Sequence, residues 1–239
     1  MDYKDSRKFV IGMRPVILLL DEEGCFDVMK YNWQTGYYSR SKDYFKWIVF
    51  GRGEVEEVSD DQFSQAEKAA RSLSVNFQRE DVFDSPERQK NGMKSRRDTI
   101  RKANEYFAGH AEYIFDRVST DLIFDSRDKL EKALDNLKTD ERVVRIKDRF
   151  EAPLLSGYSD VLVNIQASNG VILEVKLHLK SIHDLYDYHN EIVSETVDPL
   201  IREELLIDGP FSKESSDLLR SCVYELMTAY QGAYTRCSH

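Results

Sequence analysis

The sequence predicts an α+β chain in which a small β-rich module precedes a mixed sheet flanked by helices. Three observations carry this. Short apolar or alternating runs separated by turn residues fill the first 60 positions. A polar stretch then intervenes, and beyond it strand-like and helix-like patterns alternate before a helical end. At 239 residues, 41% hydrophobic and 11% aromatic, the chain can bury a core, so wholesale disorder is excluded.

In the module, residues 14–20 form an apolar strand, the Asp21-Glu22-Glu23-Gly24 run supplies a turn, and residues 25–31 alternate. A turn around Gln34-Thr35-Gly36 leads to a strand at 37–40. Residues 44–50 read as a further apolar strand and 54–58 as a short one. Asp60 or Asp61 caps a helix with Phe63, Ala66, Ala70 and Leu73 on its apolar side. The opening Met1-Asp2-Tyr3-Lys4-Asp5 echoes an epitope tag and is given no structural weight. The division expected is a β-rich module at 1–75, a linker at 76–91 around Asp84-Ser85-Pro86, and a second domain at 92–239.

In the second domain, residues 95–107 read as a helix with Ile100, Ala103 and Phe107 on one side. Residues 118–124 read as a strand, and Ser126 caps a helix through Leu130, Leu134 and Leu137. Strands follow at 143–147, 160–166 and 171–179, the last two joined by Ser168-Asn169-Gly170, a strong hairpin signal. Helices are expected at 182–197, 199–206 and 212–234.

Charge narrows the function. A net charge of -9 argues against bulk nucleic-acid binding, but seven bases against one acid lie between Arg88 and Lys102. Between His183 and Glu225 eleven acids face three bases. A basic segment on an acidic chain suits a small polyanion, and it equally suits a solvated helix face. No apolar run approaches a membrane span. Three scattered cysteines without CxxC spacing argue against a disulfide framework or zinc site. An acidic opening is unlike a signal peptide, so a cytoplasmic protein, or a secreted effector, is expected.

In the strand at 171–179, Leu173, Val175, Leu177 and Leu179 point one way and Glu174, Lys176 and His178 the other. That polar set fits either a solvated face or a phosphate-and-metal site. Asp116 precedes the strand at 118–124, where a sheet can bring it near Glu174, and two carboxylates from neighbouring strands can hold Mg²⁺.

Four motifs in order carry a resemblance. The run Lys94-Ser95-Arg96-Arg97, then Arg101-Lys102, Tyr106, Gly109 and Asp116, resembles the opening of the RelA/SpoT-type synthetase domain. So does Val144-Arg145-Ile146-Lys147-Asp148-Arg149-Phe150 followed by Gly157-Tyr158, and Glu174-Val175-Lys176-Leu177-His178 resembles that family's closing E-x-Q-x-[RH] strand. The resemblance implies a nucleotidyltransferase-like fold and transfer of pyrophosphate from ATP to the ribose 3′-hydroxyl of a nucleotide, with a tRNA end as another acceptor. It implies ATP phosphates at Lys94, Arg101 and Lys102, Mg²⁺ between Asp116 and Glu174, and Glu174 as base. The acceptor falls to Tyr158, Lys147, His178 and Lys176, with the Tyr158 ring exposed for stacking worth about 1–3 kcal/mol.

Departures from the pattern are Ser119 for an arginine, Lys176 for the glutamine, Gly92 for an arginine, and no lysine in 153–156. They point to two alternatives: a degenerate nucleotide- or protein-binding module that uses residues 1–75 for a protein partner, or group transfer to a protein or RNA acceptor. A lone His183-Asp184 pair does not make a hydrolase domain, and His189 is expected to pack on a helix face.

Overall fold

The computed structural model describes residues 3–51, 54–77, 95–116 and 118–236. The chain divides into two compact units, taken here in turn. The first comprises Met1–Val75, Leu154–Ser156 and Asp187–Met227, the second Asn76–Pro153, Gly157–Tyr186 and Thr228–His239. The helical residues 187–227, expected within 92–239, thus count with the N-terminal unit.

The first unit is built on strands β1 (Tyr3–Ile11), β2 (Arg14–Asp21), β3 (Phe26–Tyr31), β4 (Tyr38–Arg40) and β5 (Val55–Glu57). They form an antiparallel sheet in the order β4-β3-β2-β1-β5. Strand β1 corrects the reading of the opening residues. Its outer half is charged and exposed, which hides the pattern, but Phe9 and Ile11 are buried and Ile11 pairs with Arg14 across a tight turn.

Residues 44–50, expected as a strand, contain helix α1 (Tyr44–Val49). Its buried residues Tyr44, Phe45, Ile48 and Val49 have helical spacing, and a run this apolar does not reveal its period to inspection. Helix α2 (Asp60–Ser72) is capped by Ser59, in a reciprocal capping box with Gln62, rather than by Asp60 or Asp61, which lie in its first turn.

Helices α6 (Tyr186–Ile192) and α7 (Asp198–Glu204), with a π-helical turn Val193–Val197 between them, and the start of α8 (Lys213–Arg236) supply the rest of this unit's core. His189 is buried, its Nε2 lying 3.0 Å from the Phe50 carbonyl, the packed role expected. Phe45 packs on Phe26 and Phe211. Lys42 is buried and donates to Glu204 Oε2 at 2.9 Å and to the carbonyls of Glu204 and Ile207. Burial raises the Glu204 pKa, but donors from Ser212, Ser215 and Lys42 outweigh that and bring it to about 2 from an ordinary 4.5. A folded pKa below the unfolded one means stability present above pH 4.5 and lost as pH falls toward 2. Glu204→Gln is therefore expected to flatten the acid limb of a stability–pH curve over that window, read by urea unfolding; an unchanged slope would contradict the assignment.

The second unit carries α3 (Arg96–Tyr106), a 3-10 turn Ala111–Tyr113, β6 (Ser119–Phe124), α4 (Arg127–Lys138), β7 (Val143–Asp148), β8 (Val161–Gln166), β9 (Ile172–Leu179) and α5 (Lys180–His183). Its sheet runs β6-β9-β8-β7, with β6 parallel to β9 and the other pairs antiparallel. This is the mixed, helix-flanked α+β arrangement expected. Asn169-Gly170 closes the β8–β9 hairpin, where Gly170 N–H donates to the Ala167 carbonyl. Ser126 stands at the N-cap of α4 but makes no side-chain cap bond. Helix α4 packs on β6, β7 and β9 and buries Leu130 and Leu134. The end of α3 needs Gly109: at φ +92° an added Cβ would lie 1.8 Å from the Asn76 carbonyl oxygen. Among the described residues no helix is long and apolar enough to cross a membrane.

Candidate active site on the polar face of the second sheet

Cross-strand partners share a face, so register alone assembles the site. One row runs Ser119, Glu174, Asn164, Arg145 across β6, β9, β8 and β7; the next runs Asp121, Lys176, Leu162, Lys147. Beyond them on β9 lies His178, opposite Ile123. The expected alternation of β9 thus holds. Glu174 is 4% exposed and His178 5%, whereas Lys176 between them and Asp121 opposite it keep side chains 29% and 54% exposed, so the face is buried at two positions and open to solvent at the others.

The carboxylates expected to hold a metal come from neighbouring chain segments. The Glu174 N–H donates to the Val118 carbonyl at 2.9 Å, two residues after Asp116, and Asp116 is itself buried. Lys102, on α3, reaches Asp116 Oδ1 at 2.6 Å, with both side chains little exposed, and Lys176 Nζ stands 3.6 Å from Glu174 Oε1. Two hard oxygen donors suit Mg²⁺, which takes one or two carboxylates and draws its other ligands from phosphate and water, whereas the ammonium groups beside them suit phosphate. Among the described residues no group of three or more potential ligands gathers.

Arg101 and Lys102 diverge. Arg101 is exposed and pairs with Asp98 at 3.1 Å, whereas Lys102 turns inward. Lys94 lies outside the described residues.

Tyr158 departs from its expected form. Gly157, at φ +82°, turns the chain so that the ring goes inward, 4% exposed, edge-on to Tyr230 of α8. Its hydroxyl lies 3.0 Å from Asp160 Oδ2 and 3.3 Å from His178 Nδ1, and His178 Nε2 lies 3.2 Å from Asp121 Oδ1. Asp160 also accepts from Arg149 Nη1 at 3.0 Å, both side chains essentially inaccessible. The ring is a buried strut, not an exposed stacking platform, because its hydroxyl finds a carboxylate two residues along the chain.

Burial pulls the His178 pKa below its usual 6.5 despite the nearby Asp160 and Asp121. A neutral imidazole and one phenol supply two protons for three contacts, so Tyr158 donates to Asp160 or to Nδ1, not to both. Tyr158→Phe keeps the ring contact with Tyr230 but strips a buried hydrogen bond. It is expected to cost about 1–3 kcal/mol in denaturant unfolding, and no loss would place the hydroxyl outside this network.

Asp121, Arg145, Arg149, Asp160 and Asn164 were not anticipated. Counting alternate residues back from Lys176 and across to β6 would have found Asp121, since the two are paired. Nothing local marks Arg149 and Asp160 as partners.

No protein-family model matches the chain, and no curated protein does. Solved structures do. The small alarmone synthetase 2 from Bacillus subtilis is similar at 17% identity, over 61% of this chain and 73% of that one, with a TM-score of 0.44. The B. subtilis small alarmone synthetase 1 bound to its product pppGpp is similar at 14% identity, over 61% and 71%, with a TM-score of 0.42. The complex between the Type VI effector Tas1 and its immunity protein gives 17%, over 60% and 79%, with a TM-score of 0.41. The likeness is remote, and the chemistry rests on this chain's own residues.

Proposed function

We propose that the chain is a Mg²⁺-dependent pyrophosphokinase that moves pyrophosphate from ATP to the ribose 3′-hydroxyl of a nucleotide acceptor. One observation carries the reading: Asp116 and Glu174 are both buried, the Glu174 N–H is bonded to the carbonyl two residues after Asp116, and each carboxylate has a lysine against it.

Glu174 accepts the proton of the acceptor hydroxyl, whose oxygen attacks the β-phosphorus in line. The bond from that phosphorus to the oxygen bridging to the α-phosphate breaks, and AMP leaves. Lys102 neutralises ATP phosphate oxygens, with Lys94 and Arg101 assigned to the same triphosphate by the motif. Lys147 and Lys176, in one row, and Arg145 in the next give the acceptor's phosphates their counter-charge. Asp116 and Glu174 would hold Mg²⁺, which when bound neutralises charge developing on the transferring group. His178 is held toward the acceptor by Tyr158 and Asp121. The first unit is assigned to a protein partner.

A second reading, a nucleotide- or protein-binding module without turnover, is favoured by the buried Tyr158, which leaves no ring here to stack on an acceptor base. The test is thin-layer separation of products from γ-³²P-labelled ATP with Mg²⁺ and GDP, GTP, ADP, ATP or bulk tRNA in separate reactions. Label on one acceptor supports transfer and names the substrate. Label retained on ATP throughout overturns transfer in favour of the binding module.

A further inference from the structure

Lys102 and Asp116, to which the proposed function gives the ATP phosphates and the metal, here hold each other at 2.6 Å with side chains 12% and 11% exposed. A divalent cation arriving alone meets an ammonium group already on its ligand, cation against cation. A triphosphate arriving alone must draw Lys102 away and leave the Asp116 carboxylate facing an incoming polyanion. Arriving together, the two exchange partners without leaving charge uncompensated: Lys102 passes from carboxylate to phosphate, and Asp116 passes from ammonium to metal. In a site this enclosed, such compensation matters far more than in water.

We propose that the Lys102–Asp116 ion pair is a latch that blocks separate binding of metal and nucleotide, so that the site takes the metal–ATP complex as a unit. The inference rests on the proposed function and adds to it the order in which the site assembles. Linkage makes the coupling reciprocal: the factor by which nucleotide raises metal affinity is the factor by which metal raises nucleotide affinity.

The test is Mn²⁺ binding by electron paramagnetic resonance on the full chain without nucleotide. Lys102→Met is expected to bind Mn²⁺ about tenfold more tightly than the parent, and adding Asp116→Asn should abolish the gain. Lys102→Gln serves as a second variant, with circular dichroism confirming that each is folded. Equal Mn²⁺ affinity in the parent and both folded single variants overturns the latch. Calorimetric titration of the parent with Mg·ATP separates the two claims. Binding of Mg·ATP with no gain in the variants removes the latch alone, whereas no binding removes the site reading beneath it.

Discussion

Replacing Glu174 by glutamine is expected to cut pyrophosphate transfer by roughly a hundred- to ten-thousand-fold, the range that a general base contributes. The substitution keeps the volume and one carbonyl oxygen, so β9, whose Glu174 N–H is bonded to the Val118 carbonyl, keeps its pairing. What goes is the group proposed to take the hydroxyl proton and half of the carboxylate pair assigned to Mg²⁺. Lys176, 3.6 Å away, is left beside a neutral amide, which does not offset its charge. The thin-layer assay on whichever acceptor takes label, with circular dichroism to show an intact fold, reads the result. Turnover within a few-fold of the parent would remove Glu174 from the mechanism.

Asp160→Asn is expected to have the largest effect on stability. Its carboxylate faces Arg149 at 3.0 Å with neither side chain accessible, and it also takes the Tyr158 hydroxyl. Neutralising Asp160 takes from the buried Arg149 the counter-charge at 3.0 Å, a loss of about 3–5 kcal/mol. In a chain of this size that lowers the melting temperature on the order of 10 °C. Scanning calorimetry measures it, and the double variant Arg149→Met with Asp160→Asn should recover part of the loss, since no charge is then stranded. A single variant melting with the parent would mean that Arg149 finds another counter-charge.

These two residues differ in how legible they were. Glu174 could be found in the sequence because a strand repeats every two residues and its polar set stands out against leucine and valine. Asp160 could not. It is a polar residue at the edge of a strand, and its partner lies eleven positions back across a loop. Helix α1 was misread for the converse reason: a short apolar run with Lys46 as its one charged position gives too little contrast from which to read a period. Strand β1 was passed over because its first residues echo an epitope tag and its charged, exposed outer half hides the buried Phe9 and Ile11.

The sequence by itself determined the α+β class, most of the elements, the hairpin at Asn169-Gly170 and the positions where carboxylates and lysines recur. These are properties of neighbours along the chain, set by periodicity, capping and turn chemistry. Only the tertiary structure decided that Glu174 and His178 are buried, that Tyr158 turns inward and that Lys102 lies on Asp116 while Arg101 does not. It also decided that the helices of 187–227 count with the first unit. Burial and ion pairing depend on which distant segments exclude water from a side chain, and no local pattern carries that information.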